Sequence, residues 1–148
     1  MLRAFVAAVV AGSLLVAAGC DRTITPEIEW GVSTCHRCKA VIAERTWAAA
    51  DRGAGAIRLY DDPGCLFATR RQEDSYSLDA VFADHTGTQR WLAAGDVWFA
   101  KTSVSKSPQG YGWAAYPDFA SAQDAVTRAG SGRMVRFGEA LRAVPSEP

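Results

Sequence analysis

Apolar and polar positions fall into short runs whose period changes along the chain. VIAERTWAAA, residues 41–50, has an alternating and β-prone character, and the glycine-rich turn DRGAGA carries it into IRLYDD, so a hairpin is expected. A helix should then start at Asp61-Asp62-Pro63-Gly64. The Asp62 side chain can accept from the free amides of a first turn, and Pro63 suits the first helical position. The helix is predicted over 63–72, with Cys65 in its first turn. SLDAVFADHTGTQRWL alternates on both sides of His85-Thr86-Gly87 and predicts a second hairpin.

The later half repeats that order. VWFAKTSV reads as a strand, SPQGYG as a loop and GWAAY as a strand. Pro117-Asp118 opens a helix with Phe119, Ala122, Ala125 and Val126 on one face, ended by Gly130. RMVRF is a further strand, and FGEALRAV a closing helix. IRLYDDPGCLFATRR and WAAYPDFASAQDAVTR both run from strand through Asp and Pro into helix. The fold class expected is α+β, with two similar small ββαβ units at 34–92 and 93–148. Residues 21–33, DRTITPEIEWGVS, lack clear periodicity and read as a flexible tether ahead of them.

The beginning of the chain changes the picture of where this fold resides. Arg3 precedes an uncharged apolar run, Ala4 to Ala18, too short to span a bilayer comfortably and followed by small residues. Residues 1–19 therefore read as an export signal. A cysteine directly after Ala17-Ala18-Gly19 has the pattern of a bacterial lipobox, in which cleavage leaves Cys20 first and lipidated; an ordinary secretory signal is the alternative. Asp21 resembles a mark for retention at the inner membrane. The expected location is the periplasm, with residues 20–33 linking a lipid on Cys20 to the folded body.

Loss of residues 1–19 leaves about 130 residues, enough for one ordinary domain or two very small ones. The whole chain has 16 basic and 16 acidic side chains. That balance offers nothing to nucleic acid or to a polybasic membrane contact. With Cys20 modified, Cys35, Cys38 and Cys65 remain, and an odd number of thiols in an oxidising compartment excludes a complete set of internal disulfides.

TCHRCKAVIAE, residues 34–44, holds the two closest thiols. A CxxC pair at a turn or helix start lets both sulfurs face one point, which suits Cu(I), zinc or disulfide exchange. Arg37 and Lys39 are expected to favour thiolate by charge attraction. Lys39 stands where haem attachment requires a histidine. Trp30 upstream gives CHRCK a superficial likeness to a thioredoxin centre, without a preceding long apolar strand or a βαβ unit. A structural zinc site would need Cys35, Cys38, Cys65 and a histidine, from His36 inside the loop or His85 in the predicted turn; both histidines also read as solvated loop residues. Cys65 can equally pack as a small apolar group. Trp91, Trp98, Tyr111 and Trp113 read as core. Beyond the thiols nothing suggests an acid/base or nucleophile–base pair, so no enzyme is expected.

The order of these motifs, from the lipobox cysteine and CxxC through LYDDPGC and SPQGYGWAAY to the late GRMVRFGEAL, resembles the nitrous oxide reductase accessory protein family, NosL. The resemblance spans Cys35 to Leu141, with DDPGC and P-x-G-Y-G as its more specific parts. It implies two ββαβ units like those of the organomercurial lyase fold. It also implies a membrane-anchored periplasmic copper(I) carrier supplying a copper enzyme such as nitrous oxide reductase. The family's thiol motif is Cys-x-Met-Cys-x-Met, and Arg37 and Ala40 stand at its methionine places; Gln109 replaces the methionine of its P-Met-G-x-G loop. Met134 reads as core packing. The expected metal residues are therefore Cys35 and Cys38, with Cys65 and His36 as further candidates. Cu(I) is the expected ion and zinc the alternative. A periplasmic thiol–disulfide oxidoreductase and a scaffold that has lost copper are the rival functions.

Overall fold

The computed structural model describes residues 24–145, so the expected export signal (1–19), Cys20 and Asp21 lie outside the described residues. A one-turn 3-10 helix at Arg45–Trp47 leads into β1 (Ala49–Gly53) and β2 (Ala56–Tyr60), which pair antiparallel. The strand expected from residue 41 thus begins only at Ala49, after a lone bridge between Thr34 and Val41. The two strands turn through Ala54 (φ 49°) and Gly55 (φ 81°), a left-handed pair that matches strand twist in a two-residue hairpin.

Helix α1 (Pro63–Gln72) has the predicted bounds, and the Asp62 carboxylate accepts from the Gly64 amide at 2.8 Å. β3 (Ala80–Ala83) and β4 (Trp91–Ala93) form the second hairpin and complete an antiparallel sheet of order β2-β1-β3-β4. The expected boundary between residues 92 and 93 falls inside β4. The second sheet, of order β6-β5-β7, contains β5 (Trp98–Thr102), β6 (Ala114–Tyr116) and β7 (Gly132–Arg136). Between β6 and β7 lies α2 (Phe119–Ala129), capped by Asp118 and stopped by Gly130 at φ 72°. Helix α3 (Phe137–Ala143) closes the described chain.

The repeat is real at the level of topology. In each unit the first strand is central, the second pairs on one side, and the strand after the helix pairs on the other. The units share one core. Phe67 of α1, Phe82 of β3, Phe99 of β5 and Phe137 of α3 meet there, with Phe82 and Phe99 ring centroids 4.8 Å apart. Period-two alternation sends Phe99, Ala115 and Val135 into this core, whereas Trp98, Ala100, Ala114, Tyr116 and Met134 face α2. Trp113 joins the shared core and Trp98 the cluster under α2; Trp91 and Tyr111 are only partly buried.

Among the described residues no helix covers the outer face of the first sheet. Ile24, Ile28 and Trp30 cover it instead, packing on Ala48, Ala50, Leu59, Val81, Ala83 and Trp91. Arg45 lies over the Trp30 ring at 4.4 Å. Residues 24–33, expected as tether, take on this sheet the place α2 takes on the other. The absence of periodicity that suggested a linker is the signature of an irregular strap with apolar side chains spaced for one sheet surface.

Candidate metal centre

Three segments converge at one end of the first unit. The CxxC turn is closed by Cys35 N–H to the Ala40 carbonyl (2.8 Å) and Lys39 N–H to the Cys35 carbonyl (3.1 Å), with Lys39 in the left-handed region at φ 64°. His36 N–H donates to the Leu59 carbonyl at 2.7 Å, which ties the turn to the end of β2. β2 runs directly into Asp61-Asp62 and the first turn of α1, where Cys65 N–H donates to the Asp62 carbonyl. The third segment is the loop between β5 and β6. Its Gln109 amide donates to Asp62 Oδ2 at 3.0 Å, so Asp62 caps α1 with one oxygen and holds this loop with the other.

The convergence brings Cys35, Cys38 and Cys65 together with Asp61; one donor atom of each lies within 4.8 Å of the others. Cys35 and Cys65 are buried and Cys38 is exposed, and none of the three forms a disulfide. Cys38 Sγ–H donates to Asp61 Oδ1 at 3.3 Å, and Gln109 Nε2–H to Asp61 Oδ2 at 2.7 Å. Cys38, Cys65, His36, Arg37, Gln109 and Tyr111 border an open depression of about 790 Å³. His36 stands at its rim, its exposed ring edge-on to Tyr60 at 5.9 Å and outside the four-donor group.

The thiols do not share one protonation state. The Cys65 S–H holds the Cys35 thiol down to about 7, assisted by backbone amides and opposed by burial. The same contact, with burial, pushes Cys65 strongly up. Burial first, and the neighbouring Cys35 next among side chains, push Cys38 up to about 11. The thiolate-favouring group is therefore a neighbouring thiol, not the basic side chains expected to do it. Arg37 donates to Gln72 Oε1 and Lys39 Nζ to the His36 carbonyl.

His85, expected in a solvated turn, is held between Trp47 (4.4 Å) and Tyr116 (5.7 Å), with Nδ1–H donating to the Thr46 carbonyl. It lies in a different depression, lined also by Trp47 and Arg128, apart from the thiols. Asp61 was missed as a site residue. Its signal was the doubled aspartate before Pro63: only one of the pair can cap the helix, and the other sits at the strand end facing the thiols.

Three thiols and a carboxylate at this spacing are a donor set for a soft or borderline metal ion. No protein-family model and no curated protein matches the sequence. The structure is similar to the crystal structure of the copper chaperone NosL from Shewanella denitrificans, with a TM-score of 0.66 and 15% identity over 78% of this chain and 94% of that one. At that identity the likeness is one of fold: the chain has the α+β fold of the copper chaperone NosL, with its candidate metal site built from three cysteines and an aspartate.

Proposed function

We propose that this protein is a carrier of Cu(I), anchored in the periplasm by lipid on Cys20 and delivering its ion to a copper enzyme such as nitrous oxide reductase. It has no catalytic role of its own. The observation that carries the reading is the gathering of three thiols from two separate segments, two buried and one exposed, with Cys38 and Cys65 bordering an open depression. Buried Cys35 and Cys65 would retain the ion, while exposed Cys38 offers the edge at which an incoming soft ligand attacks and exchanges. Thiolate donors suffice for Cu(I) in low coordination without thioether ligands. The likeness to a copper chaperone supports the same reading.

The rival oxidoreductase needs an exposed sulfur that ionises readily. Here the arrangement is reversed: the thiol held near 7 is buried Cys35, and exposed Cys38 keeps its proton to about 11. With residues 24–33 packed on the body, only residues 21–23 remain between Cys20 and the strap, a reach of at most about 14 Å from the membrane anchor. A lipid on Cys20 would thus keep the carrier close to the membrane surface.

Titration of the reduced full chain with Cu(I) against a Cu(I) chelator tests the reading. Cys35→Ser with Cys38→Ser should weaken binding about 100-fold or more, since losing even an outer-shell partner costs 10–100-fold. Unchanged affinity places any copper site elsewhere.

A further inference from the structure

A depression of about 200 Å³, apart from the thiols, lies where the strap meets β3 and β4. Ile28 and Trp30 of the strap, Arg45 of the 3-10 turn, Gln89 and Arg90 of the β3–β4 loop and Trp91 of β4 line it. Each guanidinium is pinned by contacts that leave N–H groups over. Arg45 lies on the Trp30 ring at 4.4 Å, and its guanidinium takes part in no ion pair or hydrogen bond among the described residues. The ring fixes the plane of the fork and leaves its N–H edges open. Arg90 donates through Nη2–H to the buried Asp84 carboxylate (2.9 Å) and through Nε–H to Thr88 Oγ1 (3.0 Å), while Nη1 has no partner among the described residues. Asp84 is itself fixed by Thr86 and Thr88. Two positioned forks with unused donors make a preorganised anion receptor.

Charge and position select the anion. Asp84 cancels Arg90 and no carboxylate among the described residues faces Arg45, so the lining has one net positive charge. A phosphodiester matches it with a single negative charge, whereas a phosphate monoester brings about −1.5 to −2. The cavity is smaller than the ~300–1,000 Å³ of pockets that enclose whole small molecules, so it suits a headgroup whose remainder lies outside. One wall is the strap, whose Ile24 is buried four residues after Cys20. Trp30 and Trp91 are half-buried, a disposition that suits indole where water meets headgroups. Glu27 and Glu29 of the strap are exposed and do not line the depression, so the attraction is confined to the arginines. β4 is one edge of its sheet, and the CxxC turn is tied to the opposite edge through Leu59 of β2.

We propose that this depression binds the phosphodiester headgroup of an anionic phospholipid, with Arg45 and Arg90 on the phosphate. Binding docks the β4 edge on the membrane and leaves the thiols, at the β2 edge, facing away from it. The membrane source rests on the proposed anchorage through Cys20; the binding chemistry involves no metal.

The test follows the tryptophan indole N–H signals of the isotope-labelled, reduced full chain by NMR. The probes are dihexanoyl phosphatidylglycerol below its micellar concentration, dihexanoyl phosphatidylcholine, and inorganic phosphate. The phosphatidylglycerol should shift the Trp30 and Trp91 signals saturably and leave those of Trp47, Trp98 and Trp113 in place; phosphatidylcholine and phosphate should bind more weakly. Arg45→Gln and Arg90→Gln should each weaken phosphatidylglycerol about 10-fold or more, and Arg45→Lys should retain only part of the parent affinity. Circular dichroism of Arg45→Gln should match the parent, since its guanidinium holds no other residue by an ion pair. Parent affinity in Arg45→Gln overturns the pocket, and equal binding of either control probe overturns the anionic-lipid assignment. Cys35→Ser with Cys38→Ser should leave the lipid titration unchanged, and mass spectrometry of membrane-extracted chain reports the lipid on Cys20, so failure here is separable from failure of the carrier or the anchorage reading.

Discussion

Single side chains set the shape of the site by contact rather than by propensity. Gly64 sits in the first turn of α1 because a Cβ there would overlap the Tyr111 ring of the opposing loop. Gly64→Ala should destabilise the protein by about 2 kcal/mol, read from urea denaturation, and most of that loss should vanish in a Tyr111→Ala background. His85 governs a different response. Burial between Trp47 and Tyr116 holds its imidazole below the ordinary range, so the unfolded chain binds the proton more readily. Its contribution to stability is full above about pH 6.5 and falls as the pH drops below that value. The decline in urea midpoint between about pH 7.5 and pH 5 should be smaller in His85→Gln. His36 is shifted in the same direction, first by burial and then by Arg58 and Lys39.

At the scale of elements, a buried ionic cluster fixes the angle at which α1 leaves β2, and with it the position of Cys65. Asp51 in β1 is fully buried and accepts from Arg58 in β2 (2.8 and 2.6 Å), Arg70 in α1 (2.6 Å) and the Tyr60 hydroxyl (3.2 Å). Arg58 continues to Glu73 just past α1. Asp51→Ala leaves two arginines facing a void and should cost about 3–5 kcal/mol in urea denaturation. Replacing Asp51 and Arg70 together by apolar residues should cost less than Asp51→Ala alone. None of this was legible beforehand. AAADRG reads as a strand running into a turn, and the alternation that turns Asp51 inward became visible only with its pairing to Arg58. Helix α1, by contrast, was legible to the residue, because its start is a local matter of Asp62 and Pro63.

For the whole molecule, the topological repeat does not make two independent domains. Phe99 of the second unit packs on Phe67 and Phe82 of the first, and α1 lies against α3. Phe99→Ala should cost about 3–5 kcal/mol and lower both units together. Circular dichroism and tryptophan fluorescence should then report one coincident unfolding transition, in the variant as in the parent. The strap has a global role too. Ile24, Ile28 and Trp30 cover the outer face of the first sheet, so this segment, expected as a tether, is part of the fold rather than a spacer.

The sequence by itself determined the α+β class, the strand–strand–helix–strand repeat, the caps of α1 and α2, and the identity of the thiols. Each depends on residues within one or two turns of each other, where backbone geometry and side-chain hydrogen bonding are decided. Only the tertiary structure decided that Cys65 joins Cys35 and Cys38, that Asp61 enters the group while His36 stays at the rim, and that the supposed tether is a strap. Those outcomes depend on how segments distant in the chain close over a shared apolar core. Chain-local periodicity carries no information about which polar side chain that closure leaves facing the sulfurs.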